Sequence, residues 1–103
     1  GLPEAVQALQ LWLGDHARDA QAWQLLSGLY TAQGLTLRAI RASAENQVAL
    51  LDYTAALDRF KAAQEWLRGQ SASGGAIDHV DASIIDTRQR QVEALLKAQA
   101  LER

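Results

Sequence analysis

Residues 23–39 read WQLLSGLYTAQGLTLRA, and the fold turns on them. Trp23, Leu26, Leu29 and Tyr30 recur at three-and-four spacing, which puts them on one face of a helix. Gly34 follows as a stop, because glycine adopts a positive φ without a Cβ clash. A second periodic run opens at once with Leu37 and Ile40. The stretch therefore predicts two helices joined by a tight turn.

The same signals extend in both directions. Upstream, a helix is expected from Pro3 to Leu13, with Pro3 at a first helical position and Gly14 as its cap. Its apolar positions are Ala5, Val6, Leu9, Trp12 and Leu13. Asp19 is the expected N-cap of the helix running from Ala20 to Gln33. The next helix, from Thr36 to Leu50, carries two stripes. Leu37, Ile40, Ala44, Val48 and Leu51 form one, and the small residues Ala39, Ala42, Ser43, Asn46 and Ala49 form the other. A helix with two such faces is normally sandwiched between neighbours. A fourth helix is expected after Asp52, burying Tyr53, Ala56, Leu57, Phe60, Ala63 and Leu67 and capped by Gly69. Residues 70–76 (QSASGGA) have no periodicity and read as a flexible linker. A long last helix follows over 77–101, fraying beyond Ala98.

Composition agrees with helix almost everywhere. The 103 residues include a single proline, and 49% are apolar, enough for one core without staples. The absence of cysteine excludes disulfides, thiolate metal sites and thiol catalysis. Ten basic and twelve acidic residues give a net charge of −2 with no basic stripe, which argues against nucleic acid. No apolar run approaches the roughly 20 residues of a membrane span, so no direct membrane insertion is expected. The chain starts at Gly1 and has no methionine, which reads as an excised segment of a longer protein.

The pattern resembles the tetratricopeptide repeat. That repeat asks for Trp, Leu three residues on, a small residue and then Tyr, with an Ala in the second helix and a 34-residue period. Trp23, Leu26, Ser27 and Tyr30 meet the first demand, and Gly34 and Ala39 the second. Ala5 lies 34 residues before Ala39, and Ala56 with Phe60 gives an A-x-x-x-F. Ala56 lies only 17 residues after Ala39, half a period. The third helix therefore has two roles, closing one repeat and opening the next. The fold expected is all-α: a tetratricopeptide-like antiparallel helical repeat, or short α-solenoid, of about five helices with a long C-terminal helix. Residues 1–69 would form the repeats, 70–76 the linker and 77–103 a packing helix of the same domain. The competing reading is a generic helical bundle with coincidental spacing.

Three stretches carry a closer resemblance: WQLLSGLYTAQG (23–34), IRASAENQVALLDYTAALDRFKAAQ (40–64) and ASIIDTRQRQVEALL (82–96). They resemble the C-terminal tetratricopeptide region of bacterial periplasmic zinc metalloproteases of the β-barrel assembly-enhancing type. The likeness covers most of the chain after Asp15. It includes Ala44-Glu45, the D-Y-x-x-A turn from Asp52 to Ala56, and Arg88 and Arg90. It implies a periplasmic parent protein in outer-membrane protein assembly and quality control. Zinc would sit only in that parent's protease domain, on an H-E-x-x-H motif that this sequence lacks, so no cofactor and no catalytic residue is carried over. The implied partners are protein or peptide: the β-barrel assembly machinery, or unfolded outer-membrane proteins. The implied role is to recruit them or to restrain the protease.

Individual residues give weaker signals. His16 and His79 lie 63 residues apart and neither has a second His at i+4, so both read as solvated turn or helix-start residues rather than metal ligands. On the second helix Gln21, Gln24, Gly28 and Thr31 turn away from Trp23 and Leu26 and form the expected binding surface. Gly28 would let a partner backbone approach closely. Arg38 and Arg41 are candidates for meeting an acidic partner, or else an ordinary solvated edge. Trp66, off the main stripe, is a candidate docking anchor or a residue partly covered by the last helix. An alternative function is structural: homo-oligomerisation through the terminal helix, or an adaptor role.

Overall fold

A computed structural model describes residues 1–102 as five α-helices, with no strand among the described residues. They are α1 (Leu2–Asp15), α2 (Ala20–Ala32), α3 (Thr36–Ala49), α4 (Tyr53–Ala72) and α5 (His79–Leu101). Each helix packs on the next in sequence, and α5 also reaches α3. Successive helices are antiparallel. Ser43 of α3 meets Arg59 of α4, and Gln64 of α4 meets Gln89 of α5, each pair at similar distances from the intervening turn. The molecule measures 43 × 33 × 17 Å. Its short dimension fits two helix layers spaced at about 8–10 Å. The all-α architecture, consistent with a helical repeat, is the one the periodicity implies.

Local start signals act as expected. Asp19 accepts the Ala22 N–H at 3.0 Å and Asp52 accepts that of Ala55 at 3.0 Å. Asp78 caps α5 by accepting from Val80 and Asp81. Several stops differ. Gly14 lies inside α1, which ends at His16 with φ −134°. Gly69 lies inside α4, which continues to Ala72, so the expected linker over 70–76 begins in helix and the connection is the short stretch 73–78. α5 starts at His79 rather than 77 and continues past Ala98 to Leu101.

Helices α2, α3 and α4 end in one motif. The residue after the cap takes a positive φ and bonds back to the last turn, and the residue beyond it bonds one step deeper. Gly34 and Gly74 occupy that position with φ of 75° and 76°, and Leu51 occupies it with φ 63°. The deeper bonds are Leu35 N–H to Tyr30 at 2.9 Å, Asp52 N–H to Gln47 at 2.9 Å and Gly75 N–H to Gln70 at 2.9 Å. Leucine in this conformation sets its Cβ against the following carbonyl, a strain of roughly 1–2 kcal/mol.

Helix α3 divides the core. Ala39 and Ala42 join Val6, Leu13, Ala22, Leu26 and Tyr30 in one buried cluster. Leu37 and Ala44 join Ala56, Leu57, Phe60, Ala63, Leu67, Ile85 and Val92 in another. Ala42, Ala44, Ala56, Phe60, Ala63 and Val92 are fully excluded from solvent. The alanines let neighbouring backbones approach α3 on two sides, so α2 and α4 pack against it and not against each other. Trp23 and Tyr53 only flank these clusters and keep partial exposure.

Two ion pairs tie α5 across α3. Arg38 Nε donates to Asp81 Oδ2 at 2.9 Å, and Arg88 Nη2 donates to Glu45 Oε1 at 2.8 Å. Both pairs span 43 residues of sequence, so α3 and α5 run parallel.

Replacing Leu51 with glycine tests the strained turn. Its side chain is 64% exposed, so little burial is lost. Relief of the strain exceeds the added backbone entropy, and Leu51→Gly is expected to stabilise the fold by roughly 0.5–1 kcal/mol in urea unfolding. A loss of stability would show that Leu51 makes contacts that outweigh its backbone strain.

Candidate functional site

One broad face of the slab is built from α2 and α4. Because these helices do not meet, a crevice of about 390 Å³ opens between them. Ser27 and Thr31 of α2 form one wall, Arg59 and Ala62 of α4 the other. Thr36, Ala39, Ile40 and Ser43 of α3 make the floor. The small residues there follow from the alanine-rich face that brings α2 and α3 together. Ser27 Oγ donates to the Ala39 carbonyl at 2.9 Å, and Thr31 Oγ1 to the Ser27 carbonyl at 3.0 Å. Arg59 reaches the floor, donating from Nε to Ser43 Oγ at 2.9 Å and from Nη1 to the Ala55 carbonyl at 3.2 Å.

The opposite face carries two further clefts. One, of about 210 Å³, lies between α1 and α5, with Tyr30, Leu37 and Arg41 beneath it. The other, of about 620 Å³, sits at the end of the slab among Leu35, Trp66 and Ile77. Arg38 and Asp81 line both and form the partition between them. The arginines here are already engaged. The Asp81 carboxylate holds the Arg38 guanidinium above its ordinary pKa by hydrogen bonding, and Glu45 does the same for Arg88. Glu45 is only 4% exposed and takes a second arginine, with Arg41 Nη2 at 2.8 Å. Arg41 in turn lies over the Trp23 ring at 5.0 Å. A buried carboxylate held by two guanidinium groups is a structural clasp, and it leaves no free acid or base.

The expected binding residues divide accordingly. Gln21, Gln24, Gly28 and Thr31 are all exposed on the outer side of α2. A Cβ added at Gly28 would meet nothing within 4 Å, so the helix surface is open there. Thr31 lines the α2–α4 crevice, while Gln21 lines a groove of about 190 Å³ between α1 and α2. Leu25 and Trp12, 55% and 48% exposed, flank Gln21 there. The four residues therefore form a ridge with a groove on each side. Arg38 and Arg41 lie on the other face, spent on Asp81 and Glu45. Trp66 is partly buried against the α4–α5 core and borders the end cleft. Sequence reasoning missed Arg59 and Asp81; it placed Ser43 on the small-residue stripe and Glu45 within reach of Arg41 at i+4, but gave neither its partner on another helix. Glu45 carried one signal: an acidic residue beside Ala42 and Ala44 on a sandwiched helix demands a buried partner.

The corner between α1 and α2 fixes the edge of the ridge. Trp12 Nε1 donates to Asp19 Oδ2 at 2.8 Å, and Trp23 Nε1 to the Ala17 carbonyl at 2.9 Å. The Trp12 and His16 rings stack with centroids 3.6 Å apart. His16 and His79 are exposed, and among the described residues no three His, Asp or Glu side chains converge as a metal site.

Acid stability tests the corner. The Ala22 N–H, and then the Trp12 indole, hold the Asp19 carboxyl below its ordinary value of about 3.9. A folded pKa below the unfolded one contributes stability above the unfolded value, and loses it as pH falls through the folded value. The stability gap between the native chain and Asp19→Ala is therefore expected to be full above about pH 5 and to shrink as pH falls below about 4. A gap independent of pH would show that the carboxylate charge does not hold this corner. No family model, curated protein or solved structure matches the chain.

Proposed function

We propose that this chain is a protein-binding module that holds a partner polypeptide on the face formed by α2 and α4. The carrying observation is the open crevice beside an exposed polar ridge. Backbone is accessible at Gly28, and Gln21, Gln24 and Thr31 offer amides and a hydroxyl on the same side. Grooves of this kind recognise extended segments or a single helix through backbone hydrogen bonds and shallow side-chain contacts. The face stands on two buried side-chain clusters that hold α2 and α4 on α3, and a face held in this way loses less entropy on binding.

The likeness of 23–34, 40–64 and 82–96 to periplasmic zinc metalloproteases supports a parent of that kind. On this reading the module belongs to its C-terminal tetratricopeptide region. It recruits the β-barrel assembly machinery or unassembled outer-membrane proteins, or restrains the protease. Chemistry would then reside in the parent's zinc domain, while this module supplies placement.

A photoactivatable residue tests the face within the longer protein. In place of Gln24 or Thr31 it is expected to crosslink an outer-membrane protein or a component of its assembly machinery. In place of Arg90, on the outer side of α5, it is expected to give none. Equal capture from both positions would contradict the assignment of the face. Thr31→Trp, at an exposed position, is expected to reduce capture at position 24 with Tm unchanged. Undiminished capture would place the partner elsewhere.

A further inference from the structure

We infer that the α2–α4 crevice receives a carboxylate of the partner polypeptide, bound by Arg59; this rests on the peptide-binding role proposed for that face. Arg38, Arg41, Arg59 and Arg88 are the partly buried cations among the described residues. Three of them have a carboxylate partner in the fold. Among the described residues Arg59 has none in ion-pair range; its bonds go to the neutral oxygens of Ser43 and Ala55. These bonds fix the guanidinium in the crevice without neutralising it, and they leave Nη2 with no acceptor among the described residues. A cation held in this way lacks only an anion.

The surroundings select the kind of anion. A fixed guanidinium presents donors in the plane that a carboxylate accepts, and little side-chain freedom is lost when it does so. The Thr36 hydroxyl lines the same crevice and makes no hydrogen bond among the described residues, so it adds a donor. Ile40 and Ala62 give apolar contact for the stem of an acidic side chain or for its neighbour in the peptide. One guanidinium in a chain of net charge −2 does not make the track of cations that a polyanion needs. The ligand is therefore an acidic side chain or the terminal carboxylate of a peptide.

Amide chemical-shift mapping of the whole chain, with three hexapeptides at millimolar concentration, tests this. The first alternates leucine and glutamate and is blocked at both ends. The second replaces glutamate with glutamine, and the third is the glutamine peptide with a free C-terminal carboxylate. The glutamate peptide, the free-carboxylate peptide or both are expected to shift Ser27, Thr31, Ser43 and Arg59. Each carboxylate peptide that binds should do so about tenfold more tightly than the blocked glutamine peptide. Which of them binds identifies the source of the carboxylate. Arg59→Gln is expected to abolish that preference with little change in Tm, and Arg59→Lys to restore part of it. Equal binding of all three at this crevice would overturn the carboxylate inference and leave the peptide-binding reading standing. Binding mapped to the α1–α5 cleft, or no binding by any peptide, would overturn both. Retention of the preference in Arg59→Gln would overturn the role of Arg59 alone.

Discussion

The arrangement depends on one crossed pair of ion bridges between α3 and α5. On α3 the cation comes first, at Arg38, and the anion seven residues later, at Glu45. On α5 the order is reversed, with Asp81 and then Arg88. Seven residues are two helical turns, about 10.5 Å, so both bridges fall on one face of each helix. Only a parallel α5 in this register satisfies both. An antiparallel α5 would set Arg38 against Arg88 and Glu45 against Asp81. At Glu45 a wrong register is costly, because the buried carboxylate would keep only Arg41 of its own helix and lose the hydrogen bonds from Arg88. The bridges therefore specify orientation more than they add raw stability.

Both faces of the slab follow from that placement. Held over α3 and α4, α5 buries its own Ile85 and Val92 against them and completes one core cluster. On the same side its Asp81 takes the charge of Arg38, and its Arg88 joins Arg41 of α3 on Glu45. The other side is left to α2 and α4, which are kept apart by α3. The small residues of α3 admit close neighbours on both flanks, yet the helix is wide enough to prevent those neighbours from touching. The crevice is the gap that this geometry leaves. Its floor carries short side chains at Ala39 and Ser43, and its one charged group, Arg59, has no carboxylate partner among the described residues.

Much of the fold was legible in the sequence. Trp23, Leu26, Tyr30 and Gly34 set α2 and its stop, and the two stripes of α3 announced a helix shared between two cores. Asp19 and Asp52 marked true helix starts. The stops were harder to read, because glycine inside a helix costs only about 1 kcal/mol and an exposed helix surface tolerates it, as at Gly14 and Gly69. Leu51 is the converse case, since leucine gives no sign of a left-handed turn. The candidate site was half legible. The exposed ridge of Gln21, Gln24, Gly28 and Thr31 follows from helical periodicity alone. Which arginine stays free does not, because Arg38 and Arg88 find acids 43 residues away and Arg59 finds only Ser43 and a carbonyl.

The most direct test of this account is a double-mutant cycle on Glu45 and Arg88, with each residue changed to alanine singly and together and stability measured by urea unfolding. A clasp that fixes α5 predicts strong non-additivity, with a coupling energy of about 1.5 kcal/mol or more, since the second substitution removes a side chain whose link between the helices the first has already broken. Single effects that add to within about 0.5 kcal/mol, as at an ordinary surface pair, would contradict it.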